Sequence, residues 1–341
     1  MRIEDFDPDT EPGVTPALYE MYLAGLPEDD PDGPPTSERV FTNWIRKGWN
    51  SDPRERALAI DGTGGTGGAG RTVAGAYLLA LPHRKNKHIG ELTIMVAPAA
   101  RRGGVGTALL RHAAARAAGH GRTLLAGETR CGSPGAAFCA AVGARAGLLD
   151  IRRVLDVAAI PAGKLAALRG RAEAAAQGYS LVSWTGPTPE EDLEGVAIVS
   201  SAMADAPRNP GYEAHRPDVE RVREGERHSA AVGIRRYSVA ARCDRTGELA
   251  GLTEIYVEPW DTEWGYQGVT AVSREHRGHR LGLLVKVAML QMLAGAEPAM
   301  AHILTGNADG NKHMIAINDE LGFRILDEWR SWQLDTAAVT G

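Results

Sequence analysis

The chain has 341 residues, and its 38 Lys and Arg against 43 Asp and Glu give a formal net charge of −5 at pH 7. This acidic balance argues against non-specific nucleic-acid binding by the whole chain, because neutralising phosphates requires concentrated positive charge. The chain has three cysteines, none in a C-x-x-C pair, which excludes a disulfide framework and disfavours a structural zinc site. Hydrophobic residues make up 43% of a chain about two domains long, so two globular units are predicted.

Neither a membrane span nor a secretory leader is predicted. No apolar run approaches the ~20 residues that cross a bilayer. The N-terminal residues 1–9 are acidic and lack the apolar core of a signal peptide. Together with a cysteine usage that fits a reducing compartment, these features predict a cytoplasmic protein.

The first half of the chain predicts two helices and then an alternation of strands and helices. Helical spacing predicts one helix over 16–25, with Thr15 as its N-cap, and another over 38–49. The Gly-rich run 61–70 lacks the G-K-[ST] ending of a nucleotide-binding loop and predicts a hairpin connection. The remaining patterns predict strands over 57–60, 72–81, 90–97, 124–127 and 148–157, and helices over 104–118 and 134–142.

The pattern of the first half returns in the second half at a constant offset. The step from Arg101 to Arg277 equals the step from Gly106 to Gly282, and each pair stands at the same point of a strand–turn–helix order. Several coincidences at one offset indicate two copies of one α/β fold. The predicted domains are residues 1–160 and 178–341, joined by a connecting segment over 161–177.

The turn between strand and helix carries the most specific signal in each copy. It spans Val96 to Gly106 in the first copy and Val272 to Gly282 in the second. A loop that leaves a strand and enters a helix presents unpaired N–H groups and the positive end of the helix dipole. Glycines allow close backbone approach, so such a turn favours binding of a pyrophosphate by main chain.

These residues resemble the acetyl-CoA pyrophosphate loop of the GNAT N-acetyltransferases, whose pattern is Arg/Gln-x-x-Gly-x-Gly/Ala. Arg101-x-x-Gly104-x-Gly106 fits the pattern fully, whereas in the second copy Arg280 replaces the middle glycine. The segment 303–323, which ends in Leu-Gly-Phe, resembles the family's fifth strand and following helix. The organisation is similar to that of the tandem-GNAT class, to which mycothiol synthase belongs.

The resemblance implies an α/β (α+β) chain of two tandem GNAT folds. Each fold would hold a mixed, mostly antiparallel sheet flanked by helices, with the fourth and fifth strands splayed around the pantetheine arm. A free strand N–H would stabilise the thioester oxyanion. The acetyl-CoA-binding residues implied by the resemblance are Met95, Val96, Arg101, Arg102, Gly103, Gly104, Val105, Gly106 and Thr107 in the first copy, and Ala271, Val272, Arg277, Gly278, His279, Arg280, Leu281, Gly282, Leu283, Asn307 and Asn311 in the second.

Three carboxylates on predicted strands are candidates for the general base that deprotonates the acceptor amine, namely Glu91, Glu254 and Glu258. The family often places a tyrosine acid four residues before the helix-ending glycine, where this chain has Cys139 and Asn318. Neither is a good acid at neutral pH, but Asn318 stands at the acid position and is kept as a catalytic candidate. The second half has the fuller set of implied cofactor elements, so transfer is predicted there, with the first half binding acetyl-CoA or structural. No metal site is predicted.

The function implied is acetyl-CoA-dependent N-acetylation of a small-molecule amine by direct attack on the thioester. Two alternatives stay open. One is acyl transfer from another donor such as aminoacyl-tRNA, with the basic loop 83–88 contacting nucleic acid, although the acidic charge argues against it. The other is a non-catalytic acyl-CoA-binding module, for which the missing tyrosine is the support. A monomer or a homodimer is expected.

Overall fold

The computed structural model describes residues 1–48, 52–61, 72–214 and 216–340, so all of the hairpin connection predicted over 61–70 except Asp61 lies outside the described residues. The chain divides into two compact units. The first comprises Met1–Leu149, Asn209–Glu213 and Glu328–Gly341, and the second comprises Asp150–Arg208 and Ala214–Asp327. The prediction divides the chain once, at the connecting segment 161–177. In the structure each unit also includes residues from the other side of this segment.

The first unit is built from a series of complete elements and parts of two long strands. The complete elements are β1 (Arg2–Asp5), α1 (Val14–Asp29), α2 (Glu38–Lys47), β2 (Arg54–Asp61), β3 (Thr72–Ala80), β4 (Ile89–Val96), α3 (Val105–Gly119), β5 (Leu124–Arg130), α4 (Pro134–Ala141) and α10 (Thr336–Thr340). The shared strands are β6 (Arg145–Asp156), which contributes its first residues, and β12 (Arg324–Asp335), which contributes its last.

Its sheet runs in the order β1-β2-β3-β4-β5-β12. Neighbours are antiparallel except β4 and β5, which are parallel. The register of β4 and β5 joins Ile89 to Leu124 and ends where Glu91 faces Ala126. The next residue of β5, Gly127, allows close approach of the two strands, since a Cβ there would lie 2.8 Å from the Leu92 carbonyl oxygen. Beyond this point the pairing ceases, which confirms the predicted mixed sheet with splayed fourth and fifth strands.

Helices cover both faces of this sheet. On one face the buried stripe of α3, including Leu109 and Ala113, packs against β3 and β4. On the other face Leu18 of α1 packs with Phe41 and Ile45 of α2. Residues 92, 94 and 96 of β4 therefore face α3, whereas Met95 faces α1, because side chains alternate along a strand.

The second unit repeats this architecture. Its complete elements are α5 (Lys164–Ala175), β7 (Tyr179–Thr185), α6 (Leu193–Ser200), α7 (Val219–Ala231), β8 (Arg235–Cys243), β9 (Leu249–Glu258), β10 (Asp261–Val272), α8 (Leu281–Ala296), β11 (His302–Ala308) and α9 (Lys312–Leu321). The sheet order is β6-β11-β10-β9-β8-β7, and here β10 and β11 are the parallel pair. Their pairing ends where Tyr266 faces Leu304.

The first helix differs from its prediction. The sequence predicts a helix over 16–25 capped by Thr15, but α1 begins after Gly13 and continues through Gly25 and Pro27 to Asp29. Thr15 is the second residue of the helix, so Gly13 takes the N-cap position in its place. The extension has a tertiary cause, because Glu28 and Asp29 in the last turn bind a guanidinium from another loop of the unit. No helix within the described residues is long and apolar enough to cross a membrane.

Candidate functional site

A cavity of about 1250 Å³ lies in the first unit where β4 and β5 separate. Its walls come from α1, β4, the loop 98–104, α3, β5, α4 and the last residues of β12. The cavity reaches both faces of the sheet. Leu110 and Phe138 line it on the α3 side, whereas Tyr22, Leu26 and Glu128 line it on the α1 side. Two ligand portions, one on each side of the sheet, can therefore meet between the strands.

The predicted loop of the first unit lies at one end of this cavity. Arg102 and Gly104 both have positive φ, of 65° and 84°, and Gly104 is the N-cap of α3. A Cβ added at Gly104 would have no heavy atom within 4 Å, so the backbone is open on the side where a ligand would lie. The first N–H groups of α3, from Val105 to Thr107, have no intrahelical acceptor. This geometry suits an anion such as a pyrophosphate.

Arg101 does not extend freely into this anion site. Its Nη1 lies 2.7 Å from Glu28 Oε2, its Nη2 lies 2.7 Å from Asp29 Oδ2, and its Nε donates to the Val96 carbonyl. The guanidinium therefore links the loop to the last turn of α1. The family-derived prediction placed Arg101 at the cofactor, but in the structure its charge is already paired.

The backbone of β4 lies where the oxyanion donor is predicted. Ala97 N–H donates to the Ala74 carbonyl of the neighbouring β3 segment at 2.9 Å. Because N–H groups alternate in direction along an antiparallel ladder, those of Ile94 and Val96 point away from β3, towards β5. The pairing with β5 has ended there, and both residues line the cavity. The Met95 N–H points towards β3. Of the two residues predicted to provide the oxyanion donor, only Val96 therefore directs its N–H towards the cavity, as Ile94 does.

Two glutamates of the sheet, Glu91 and Glu128, lie near the cavity on the α1 side. Glu128 lines it, is exposed, and accepts a hydrogen bond from Ser331 Oγ at 3.2 Å. Glu91 lies on the same face of β4 as the cavity-lining Met95. Burial raises the pKa of Glu91, and the negative charges of Asp52 and Glu128 raise it further. Glu91 was a predicted base, whereas Glu128 was missed, because the strand predicted over 124–127 ends one residue before it and β5 extends to Arg130.

Cys139 of α4 also lines the cavity, at the position where the family often has a tyrosine. Burial raises the pKa of its thiol to about 11. The thiol therefore keeps its proton at neutral pH and is a weak acid there. This agrees with the prediction that the position does not supply an efficient acid.

The second unit has the same loop conformation as the first. Gly278 and Arg280 have φ of 90° and 53°, and the constant offset of the repeat relates them to Arg102 and Gly104. Arg280 thus keeps the left-handed backbone at the N-cap of α8 without a glycine. Arg277 also repeats the pairing of Arg101, because its Nη2 lies 2.7 Å from Asp205 Oδ2 and its Nε donates to the Val272 carbonyl.

The side chains of other predicted residues of the second loop are engaged in packing. Leu281 and Leu283 are buried in the core of the unit, and Ala271 packs with a second cluster. The His279 ring packs against Tyr179, with ring centroids 5.3 Å apart. Their side chains are therefore used in packing, which leaves only their backbone groups for a ligand.

The two predicted bases of the second unit are engaged in internal contacts. Glu254 is 3% exposed, lies 2.8 Å from Arg236 Nη2 and accepts a hydrogen bond from the Tyr256 hydroxyl at 3.1 Å. Glu258 accepts a hydrogen bond from Trp260 Nε1 at 2.7 Å. Both carboxylate oxygens of Glu254 are therefore occupied by protein donors, so these contacts do not favour Glu254 as a base.

The asparagines of the second unit also bind within the protein. Asn311 is the N-cap of α9, where its Oδ1 accepts from Met314 N–H at 3.4 Å. Asn307 Oδ1 accepts from Asn318 Nδ2 at 2.7 Å. In the first unit Ser133 caps α4 at the position of Asn311, which explains how that copy forms the helix without an asparagine.

Sequence analysis missed the residues of β12 that complete the cavity of the first unit. Trp329, Trp332, Gln333 and Leu334 line the cavity although they lie far beyond β5 in the sequence. Trp332 Nε1 donates to Thr129 Oγ1 at 2.8 Å. Nothing in the local pattern of β12 indicates that its last residues join the first unit.

Comparison with known proteins supports this description. Residues 15–138 match the model of the Acetyltransferase (GNAT) family. A tandem GNAT protein from the clavulanic acid biosynthesis pathway, solved without AcCoA, is 28% identical with a TM-score of 0.78, and the match covers 98% of each chain. No curated protein matches the chain.

Two further solved structures share the fold at lower identity. A GCN5-related N-acetyltransferase from Sphaerobacter thermophilus is 14% identical with a TM-score of 0.66, and the match covers 98% of this chain and 96% of that one. The glucosamine N-acetyltransferase region of a fungal multi-domain β-N-acetylglucosaminidase is 13% identical with a TM-score of 0.66, covering 98% of this chain and 38% of that one. At these identities the likeness concerns the fold.

Proposed function

We propose that this chain, which carries a GNAT acetyltransferase domain at residues 15–138 and has the tandem GNAT fold, is an acetyl-CoA-dependent N-acetyltransferase whose first unit performs the transfer. The observation that carries the proposal is the cavity in that unit, which passes between β4 and β5 from the loop at Gly104 to the carboxylate of Glu128. The sequence alone favoured the second half for transfer, but the cavity and its carboxylate support the first.

The residues of the first unit fit acetyl-CoA. The left-handed Gly104 leaves the start of α3 open, so the N–H groups of Val105 to Thr107 would hold the pyrophosphate. Leu110, Phe138 and the α3-facing side of β4 would hold the pantetheine arm. Acetyl-CoA, when bound, supplies the thioester carbonyl carbon that the amine attacks.

The protein groups around that carbon have separate tasks. The Val96 N–H, directed towards β5, would donate to the oxygen that gains negative charge. Glu128 would take the proton from the acceptor ammonium, because it is exposed to the cavity on the α1 side and held by Ser331. A carbon–nitrogen bond would form as the carbon–sulfur bond breaks, and the nitrogen would release its second proton to solvent. The thiolate would take a proton from solvent, since the Cys139 thiol is a weak acid.

The acceptor side of the cavity favours a positively charged amine. Glu28, Asp29, Asp30 and Glu128 all line it, and the first three stand at the negative end of the α1 dipole. Arg101 neutralises part of this charge. The remaining carboxylates would attract an ammonium ion before it is deprotonated. The acceptor is therefore expected among small molecules that carry a primary amine.

The direct test is release of free CoA thiol from acetyl-CoA in the presence of amino acids, amino sugars and diamines. We expect amine-dependent thiol release with at least one class, and the acetylated amine in the mass spectrum. A chain that binds acetyl-CoA but gives no amine-dependent release across the panel would instead be a non-catalytic acyl-CoA-binding module. The high pKa of Cys139 is the observation that favours this second candidate.

A further inference from the structure

Several residues that line the cavity of the first unit have counterparts of different chemistry in the second unit. In the first unit Trp332 of β12 faces Gly127, the first residue of β5 after the parallel pairing ends, and in the second unit Arg153 of β6 faces Thr305 of β11 at the same place. Trp332 lines the cavity of its unit. A guanidinium thus replaces an indole at the same register position.

At two more positions an apolar or weakly polar side chain of the first unit is replaced by a polar one in the second unit. The constant offset of the repeat places Lys286 at the position of Leu110, which lines the cavity of the first unit. Asn318 corresponds to Cys139, because the Phe323 N–H donates to the Asn318 carbonyl just as the Ala144 N–H donates to the Cys139 carbonyl. At these three positions the first unit therefore has an indole, an aliphatic side chain and a thiol. The second unit has a guanidinium, an amine and an amide in their place.

These polar side chains are buried and incompletely paired. Arg153 is 5% exposed, and its Nε and Nη1 have no hydrogen-bond partner among the described residues. The nearest carboxylate oxygen, Asp319 Oδ1, is 3.8 Å from Nε. Asn318 is fully buried, and although its Nδ2 binds Asn307, its Oδ1 has no partner within the part of the chain that is described. Buried groups of this kind normally have partners, because leaving a charged donor unpaired is costly.

Lys286, the third of these polar residues, is also buried. It is 4% exposed, its Nζ donates to Gln267 Oε1 at 2.8 Å, and it lies 5.1 Å from the centre of the Phe323 ring. Burial lowers the pKa of Lys286 to about 7. A cavity of only about 10 Å³, which suits a single water, lies beside it. This space is lined by Lys286, Gln267 and apolar neighbours.

We propose that the second unit binds a small oxyanion at Arg153, beside Asn318 and Asn307, in place of the acyl arm that its fold would otherwise hold. The oxyanion is a carboxylate or a phosphate, since both match the donors of a guanidinium. It also carries a hydroxyl or protonated oxygen that donates to Asn318 Oδ1. This site goes beyond the proposed transfer reaction, and its occupancy does not require acetyl-CoA.

Thermal unfolding of the full chain tests this site with inorganic phosphate, acetate and glycolate, each against chloride at equal ionic strength. For the wild type we expect a saturable rise in Tm with phosphate or with glycolate, and the anion that acts identifies the class. The variant Arg153→Met should lose this rise. In chloride alone Arg153→Met should unfold at a higher temperature than the wild type, because methionine leaves no buried donor unpaired.

The neighbouring Arg152 provides the matched control. It lies on the same strand and binds Asp327 through both Nε and Nη2. Arg152→Met should lower Tm in chloride and keep the rise with the anion. A purely structural Arg153 predicts the opposite pattern: Arg153→Met would lower Tm in chloride, and the response to anions would equal that of the wild type. That pattern would overturn the proposal, whereas acetyl-CoA binding by the first unit is read separately and does not bear on it.

Discussion

Arg101 and Asp29 form a hydrogen-bonded ion pair, with 2.7 Å between Nη2 and Oδ2, and Arg277 and Asp205 form the same pair at the same distance in the second unit. In each unit the arginine also donates through Nε to the carbonyl of the last residue of the strand before the loop. The arginine that the family pattern assigns to the cofactor thus fixes the loop to the segment that carries the aspartate.

A double-mutant cycle tests this structural role. Arg101→Met and Asp29→Asn should each lower the free energy of unfolding, and the double variant should lose less than their sum. We expect a coupling energy of about 0.5–1 kcal/mol, because the pair is only partly buried. The cycle is measured at pH 8, since burial raises the pKa of the Asp29 carboxyl. Additive effects would show that the two side chains act independently and that Arg101 is free for another partner.

Glu128→Gln should reduce kcat with little change in the affinity for acetyl-CoA. A general base contributes about 10²–10⁴ in rate, so a loss of at least about 100-fold is expected. Steady-state kinetics with the best amine of the panel measures it, and Glu328→Gln, which alters an exposed glutamate outside the cavity lining, is the control. If Glu128→Gln keeps the wild-type kcat while Glu91→Gln loses it, the base is Glu91.

The thiol of Cys139 should react slowly with iodoacetamide at pH 8, because its pKa is raised to about 11 and little thiolate is present. Its rate should rise with pH up to about 11. Acetyl-CoA should protect it, since Cys139 lines the cavity. Mass spectrometry of each site with and without acetyl-CoA measures this, with Cys131 as the internal reference. Unchanged alkylation of Cys139 in saturating acetyl-CoA would place the cofactor elsewhere.

Lys286 should make the stability of the second unit depend on pH. Its amine has a pKa of about 7 in the folded chain and 10.5 in the unfolded chain, so between these values the unfolded chain binds more protons. Stability therefore rises with pH across this window, with a slope approaching about 1.4 kcal/mol per pH unit. Burial is the cause, because the residues around the amine are apolar apart from Gln267.

The variant Lys286→Met isolates this effect. Its gain in stability over the wild type should be largest at or below pH 7 and should shrink as the pH rises towards 10.5. Urea unfolding across pH 6–10 measures the difference. Parallel stability curves for the two proteins would mean that the amine is solvated in the folded state.

Much of the fold could be predicted from local patterns. The strand over 90–97 is found as Ile89–Val96 and the helix over 104–118 as Val105–Gly119, because apolar period and the glycine-rich turn define both ends. The internal repeat includes residues well before the predicted loops, since the same offset also relates Asp29 to Asp205. The helix over 16–25 was predicted too short, because the contact of its last turn with Arg101 is distant in sequence and leaves no local signal.

The site was less predictable for a physical reason. Its second wall is made by β12, so Trp332 and Gln333 reach the first unit through non-local pairing with β5. Local patterning carries no information on such pairing. Likewise, Glu254 has the sequence setting of a base, and only the buried contact with Arg236 shows how its charge is used.

Calorimetric titration of acetyl-CoA into the wild type, Gly104→Glu and Arg280→Glu tests most directly that the first unit holds the cofactor. Both substitutions place a glutamate at a left-handed helix N-cap, at φ of 84° in one unit and 53° in the other. The account predicts binding to the wild type and to Arg280→Glu, and loss of binding in a folded Gly104→Glu. Loss of binding in Arg280→Glu with retention in Gly104→Glu would contradict it.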